Sequence, residues 1–341
     1  MSNFQREKRI VLDYYSEIER ANASTISKVI SGHTTSDYEW YGVHPFNEQV
    51  GAEAVGRQFW RPFLNAFSHV QRRQDIFFAG DNELDDSVWV MSMGHLMGLF
   101  DQPWLGIPPS RKIAMLRYAE FNRVVGGKIS KTCFHCDIIG VMQQVGIHPL
   151  PLQTGASFVY PGPRTHDGLL YGEQRPEEGT ITSELVNQMI NELTELNSAE
   201  NQRVPPEFLA RSWNNDMIWY GPAGIGASYT ISRYQEQHQY PFREGLKNKV
   251  FHGHVARIAE ANYAAFFGWP NLTNTPVGGF LGLPGNEIRA DMRVVDVYRR
   301  EGDKLAENWV FIDLPYWLKQ QGIDVLQRTA SILRADSAPS G

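Results

Sequence analysis

Two cysteines in 341 residues, Cys133 and Cys136, cannot build a disulfide framework, which excludes a small fold stapled by cross-links. Lys/Arg-rich runs are also missing and the formal net charge is -6, so the chain lacks the positive field needed to hold a phosphate backbone. Nucleic acid is therefore not an expected partner. No stretch approaches the roughly 20 apolar residues of a membrane-spanning helix, and the N-terminal MSNFQREKRIVLDYYSEIE is charged where a secretory signal is continuously apolar. The expectation is a cytoplasmic protein that meets no membrane, with the sequon Asn271-Leu272-Thr273 read as chance. What remains is an ordinary globular composition, 42% hydrophobic and 21% charged, with a generous 12% of aromatics, in a length that suits two domains of about 150 residues each.

The chain contains a repeat. Residues 106–147 laid without a gap on 282–323 match at Gly106/Gly282, Pro108/Pro284, Ala114/Ala290, Arg117/Arg293, Arg123/Arg299, Gly126/Gly302, Lys128/Lys304, Asp137/Asp313, Gln144/Gln320, Gly146/Gly322 and Ile147/Ile323. Upstream, DYEWYG at 37–42 pairs with DMIWYG at 216–221. Each copy opens with helix-period apolar residues: Val11, Leu12, Tyr15 and Ile18 in the first, and Ile181, Leu185, Met189, Leu193 and Leu196 in the second. Strand-like runs follow, SVWVMSMG, IAMLRYAEFNRVV and KISKTCFHCDIIG in the first copy, the last two joined across Gly126-Gly127 as a hairpin. The organisation is α+β: a first unit over 1–150, a Pro/Gly-rich connection over 151–177, a second unit over 178–330, and a flexible tail over 331–341.

KTCFHCD at 131–137 invites a metal or redox reading, but it lies opposite ENWVFID at 307–313, and only the Asp occurs in both. On a strand, Cys133 and Cys136 point to opposite faces and cannot clamp one ion, whereas Cys133, His135 and Asp137 share a face, matched by Trp309, Phe311 and Asp313. His252 and His254 lack a third ligand, and the glycines of GPAGIGAS at 221–228 have no βαβ unit around them, so neither a metal nor a nucleotide cofactor is expected.

GHLMGLFDQPWLGIPPSRKI with EFNRVVGGKISKTCFHCDIIGVMQQVG, and GGFLGLPGNEI with DVYRREGDKLAENWVFIDLPYWLKQQG, resemble the SnoaL-like polyketide cyclases of the nuclear transport factor two-like superfamily. The resemblance implies tandem cone-shaped α+β barrels, each a curved antiparallel sheet wrapped on helices around an apolar pocket. It also implies cofactor-independent, aldol-type ring closure on a small apolar or aromatic polyketide-like ligand. The alternative is a non-catalytic small-molecule-binding or assembly module of the same fold. The halves are expected to pack as a pseudo-dimer within one chain, with further homo-oligomerisation left open.

By the same resemblance the first copy carries the working pocket. Asp137 is the general acid/base, His95 and His135 assist it, and Trp40, Tyr41, Phe121 and His44 contact the substrate. The second copy offers Asp313, Trp309, Phe311, Trp219 and Tyr220, with Trp269 in the histidine's place, as a smaller or filled pocket. Each choice has a plainer rival: Asp137 precedes a helix-like run and suits a helix cap, His95 suits an interior histidine, and Trp40, Tyr41, Trp219 and Tyr220 suit a core. Arg117 and Arg293 read as surface residues or as partners of acids such as Glu120 and Asp296.

Overall fold

The computed structural model describes residues 4–198 and 203–336. The first half runs α1 (Gln5–Arg20), α2 (Ile26–His33), β1 (Thr34–Gly42), β2 (Asn47–Val50), α3 (Ala52–Val55), a π-helical turn (Gly56–Trp60) and α4 (Arg61–Ala66). The strands β3 (Phe67–Asp81), β4 (Val88–Phe100), β5 (Ile113–Val125) and β6 (Lys128–Cys136) come next, and α5 (Ile138–Gln144) closes the unit.

The second half repeats the order. It has α6 (Pro176–Ser198), α7 (Pro206–Leu209), β7 (Trp213–Tyr220), β8 (Ala227–Tyr229), α8 (Ile231–Tyr234), a second π-helical turn (Gln235–Gln239) and α9 (Tyr240–Gly245). Its strands are β9 (Leu246–Phe251), β10 (Ala256–Glu260), β11 (Tyr263–Pro276), β12 (Ala290–Glu301) and β13 (Lys304–Ile312), followed by α10 (Leu314–Gln320) and α11 (Val325–Asp336). Helix α11 therefore extends into the stretch expected to be a flexible tail, and the rest of that tail lies outside the described residues.

The sheets order as β2-β1-β6-β5-β4-β3 and β10-β11-β12-β13-β7-β8, with β9 added on β11. Both are mixed rather than purely antiparallel. β1 runs parallel to β6 and β7 parallel to β13, because the helices and meander between them carry the chain back before it enters the sheet again. The β5–β6 hairpin turns on Gly126 and Gly127, both at positive φ, as a two-residue turn matched to strand twist requires.

Each sheet buries both faces. The concave face wraps the unit's own helices. In the first half this interior is filled: Phe59 sits 5.6 Å from Trp40, 5.0 Å from Phe134 and 5.6 Å from Phe63, centroid to centroid, among Trp60 and Trp104. The convex faces meet and make a third core from both halves, where Phe121 packs 4.9 Å from Phe267, and Trp89 5.5 Å from it.

Arg117 crosses this interface to donate to the carbonyl oxygens of Tyr220 and Val310 at 3.1 and 3.2 Å and lies over the Phe311 ring; burial pushes its guanidinium down to about 10. Its repeat mate Arg293 donates to Asn47 and Glu48 of the first half. Both arginines thus point away from Glu120 and Asp296, since residues three apart on a strand face opposite sides. The two halves thus share one buried core within the chain. A chain shortened to residues 178–336 would expose Tyr220, Val295, Trp309 and Phe311 to water, and light scattering is expected to find it associated or aggregated. A soluble monomer would show that the shared core is dispensable.

Candidate functional site

Asp137 caps α5, its Oδ1 accepting the Gly140 N–H at 2.9 Å, while Oδ2 accepts the Ala223 N–H of the other half at 2.7 Å. Asp313 mirrors it, accepting Tyr316 N–H at 3.2 Å and His44 N–H at 2.9 Å across the interface; burial pushes its carboxyl up to about 7 against the pull of these donors and Arg293. The shared Asp of the repeat thus stitches helix to sheet and half to half. Its partner turn explains the glycines of GPAGIGAS: a Cβ on Gly226 would meet the Gly155 backbone at 2.6 Å, where the connecting segment crosses.

His95 and Asp137 do line one cleft, of about 220 Å³, between the convex faces and under Phe158 and Tyr160 of the connection. His95 pairs there with Asp75, Nδ1 to Oδ2 at 3.4 Å. The aromatics expected around them are elsewhere. Trp40 is in the filled first cone, Phe121 is in the shared core, and Tyr41 stacks on Trp269 of the second half at 5.3 Å. His135 is fully buried edge-on to Trp269, and burial with nearby Arg293 pushes its imidazole down to about 3, which keeps it neutral. His44 is held at the interface by its bond to Asp313, and burial lowers its imidazole. Trp309, Phe311 and Tyr220 also belong to the shared core rather than to a second-copy pocket, since the Asp-bearing face is the convex one.

The open cone is in the second half. A cavity of about 420 Å³ lies between its concave sheet face and the helices α6, α8 and α9, walled by Met189, Leu193, Trp213, Trp219, Phe242, Phe266 and Met292. Of the expected residues only Trp219 lines it. Phe251 and Gly253, both exposed, also line it.

Asp296 stands inside this cavity on β12, directly across from Phe266 on β11 and Val310 on β13. Its Oδ1 accepts a long bond of 3.4 Å from Asn308 Nδ2, and the Tyr298 hydroxyl hydrogen-bonds the same carboxyl. No cation pairs with it among the described residues. Burial therefore pushes the carboxyl up to about 7. Burial likewise holds His238 down at about 3 and, with Arg257, His254 at about 4, so both imidazoles facing the cavity are neutral near pH 7. Among the described residues no three His, Cys, Asp or Glu side chains gather as a metal site requires.

The repeat explains why one cone is open down to Asp296 while the other is filled around Glu120 and keeps only a cleft at its rim, beside Arg72 and Leu96. Glu120 is the counterpart of Asp296, 176 residues earlier as in the repeat, and is bound by Arg72 at 2.7 Å. Arg72 faces Leu96 across the sheet in the register where Phe251 faces Leu272, so an arginine in the first half is replaced by an exposed phenylalanine in the second. The π-helical turns also correspond, with Phe59 filling the first cone where His238 borders the cavity of the second. Tyr298, Asn308, Tyr234 and His238 are not singled out by the sequence, and Asp296 is read there only as an acid that an arginine could partner. The available signal was the strand parity of VVDVYRR, which sets Asp296 on the face opposite Arg293, together with the acid shared at the Glu120 position.

No protein-family model matches the chain, and no curated protein matches it. Among solved structures it is similar to a candidate SnoaL-like polyketide cyclase from Shewanella denitrificans OS-217, 19% identical, which covers 43% of this chain and 98% of that one with a TM-score of 0.33. It is also similar to a nuclear transport factor 2-like protein from Burkholderia xenovorans LB400, at 9% identity, 42% and 96% coverage and a TM-score of 0.33. A third is IdmH from Streptomyces antibioticus, a candidate polyketide cyclase, at 14% identity, 40% and 98% coverage and a TM-score of 0.31.

Proposed function

We propose that the second-half cone binds a small, largely apolar carbonyl compound and that Asp296 performs cofactor-free acid/base chemistry on it, of the cyclase or isomerase kind. The observation carrying this reading is a carboxyl group without a cationic partner, enclosed by aromatic and aliphatic walls and pushed up to about 7 by that burial. A carboxyl so tuned is present at neutral pH in both forms and can take a proton and return it, as the handled carbon of an aldol closure or a double-bond shift demands.

In the first step the carboxylate oxygen of Asp296 removes a proton from the carbon next to the carbonyl. The C–H electron pair moves into the ring or chain and places negative charge on the carbonyl oxygen. In the second step the enolate carbon attacks another carbonyl of the same molecule, whose oxygen takes up the π electron pair and receives the proton from Asp296 to become a hydroxyl, or the proton returns to a different carbon; on either course Asp296 is a carboxylate again. Trp219 and Phe266 hold the planar body of such a molecule, and the Tyr298 and Asn308 bonds orient the carboxyl. Asp137 is not assigned this role, since both its oxygens already accept backbone N–H groups.

The test is hydrogen–deuterium exchange at the activated carbon of enolisable aromatic ketones of two to four rings, followed by NMR without added cofactor. Exchange is expected to rise with pH through about 7 as Asp296 loses its proton, then level off. No exchange with any ketone of this size, or a rate indifferent to Asp296→Asn, defeats the reading.

A further inference from the structure

We propose that Tyr234 and His238 form a donor pair on the helical wall of the cavity that receives the negative charge developing on the substrate's oxygen, opposite the base on the sheet. This rests on the reading of Asp296 given above and extends it to the substrate, which must present an oxygen that becomes enolate-like rather than a group that leaves as a cation.

The geometry comes from the π-helical turn. Tyr234 ends α8 and His238 lies within the turn, four residues on, so both reach the same wall, their ring centroids 5.7 Å apart. Both line the cavity that Asp296 faces. Burial first, and then the charge on Asp296, pushes the Tyr234 phenol up, which places its hydroxyl within electrostatic reach of that acid.

His238 is 9% exposed, and its Nδ1 finds no partner among the described residues. Trp219 lies flat against its ring at 4.0 Å and 17°, fixing the plane of the imidazole. A buried ring nitrogen with nothing to bond, on the wall of a cavity, is costly unless a ligand completes it, and the half-buried Tyr234 hydroxyl stands on the same wall. A neutral imidazole and a neutral phenol are the donors suited to an oxyanion, because they stabilise the charge without neutralising the nearby carboxylate base. In the first half the residue in the place of His238 is Phe59, and that cone is filled and holds its acid in an ion pair. The donor and the unpaired acid occur together, and they are absent together.

The probe is 2-naphthol, whose oxygen on a flat sp² carbon imitates an enolate, compared with naphthalene, which has the same body and no oxygen. Fluorescence titration of the whole chain is expected to show 2-naphthol bound about tenfold or more tighter than naphthalene. That ratio should fall toward one when Tyr234→Phe and His238→Phe are combined, with each single change between. His238→Phe places in the second half the side chain that the first half already carries there, and His238→Gln, which keeps a donor, should restore part of the ratio. Turnover of an exchanging ketone should drop about 100-fold in His238→Phe with KM little changed.

Naphthalene bound equally well by all variants, with no advantage for the hydroxyl in the unaltered chain, overturns the donor pair while leaving the cavity reading in place. Failure of naphthalene itself to bind removes the cavity reading, and this inference with it.

Discussion

Asp296→Asn is expected to do two opposite things: lower turnover of any ketone the cavity accepts by about 10³-fold, and make the protein more stable above neutral pH. The first follows from removing the base. The second follows from linkage. The carboxyl ionises near 3.8 when unfolded and at about 7 in the cavity, so the folded chain binds its proton more tightly. Below about pH 4 the group is protonated in both states and costs nothing. Between 4 and 7 the unfolded chain releases a proton the folded chain keeps, and the stability linked to this group is lost steadily as pH rises, levelling off above 7. At about 1.4 kcal/mol per pH unit the full penalty is on the order of 4 kcal/mol, an upper figure once the cavity relaxes around the charge. Urea denaturation of Asp296→Asn should match the unaltered chain at pH 4 and exceed it at pH 8. A variant less stable at pH 8 would mean that the carboxylate is welcomed by its surroundings, and the acid/base reading would lose its physical ground.

The repeat and the α+β order were legible because they depend on identities such as Arg117/Arg293 and Asp137/Asp313, and on a Gly-Gly turn whose φ angles leave few alternatives. The face that carries the open cavity was not legible. Strand alternation groups Cys133 with His135, but choosing a pocket face needs one face to look different from the other. Here one face packs on helices and the other on the second half, so KISKTCFHC and ADMRVVDVYRRE are buried almost throughout, and the apolar–polar rhythm of a half-exposed strand is missing. The shared Asp stands out because it occurs in both copies, and in each copy it caps a helix and accepts a backbone N–H from the other half. His238 was hidden for a related cause. In QEQHQYPF a polar residue facing a cavity has the same letters as one facing water.

The ion pair in the first cone carries the second large effect. Arg72 and Glu120 are both almost fully buried, 2.7 Å apart, with the guanidinium 3.8 Å above the Tyr15 ring. Arg72→Met removes the cation and leaves a carboxyl stranded among Tyr15, Tyr118 and Asn122, a loss expected to cost about 3–5 kcal/mol. Arg72→Met combined with Glu120→Leu should recover most of that, because no charge is then left to desolvate, and the double-mutant cycle in urea measures the coupling. A single-variant cost below about 1 kcal/mol would mean that the pair is not what holds this cone together. The same pair can be carried to the other half, since Phe251 occupies the register of Arg72 and Asp296 that of Glu120. Phe251→Arg with Asp296→Glu is expected to bring a cation onto the acid and return its ionisation to the ordinary carboxylate range. Exchange on ketones should disappear although a carboxylate still stands in the cavity. If exchange survives at its original pH dependence, the unpaired state of Asp296 is not what makes it a base.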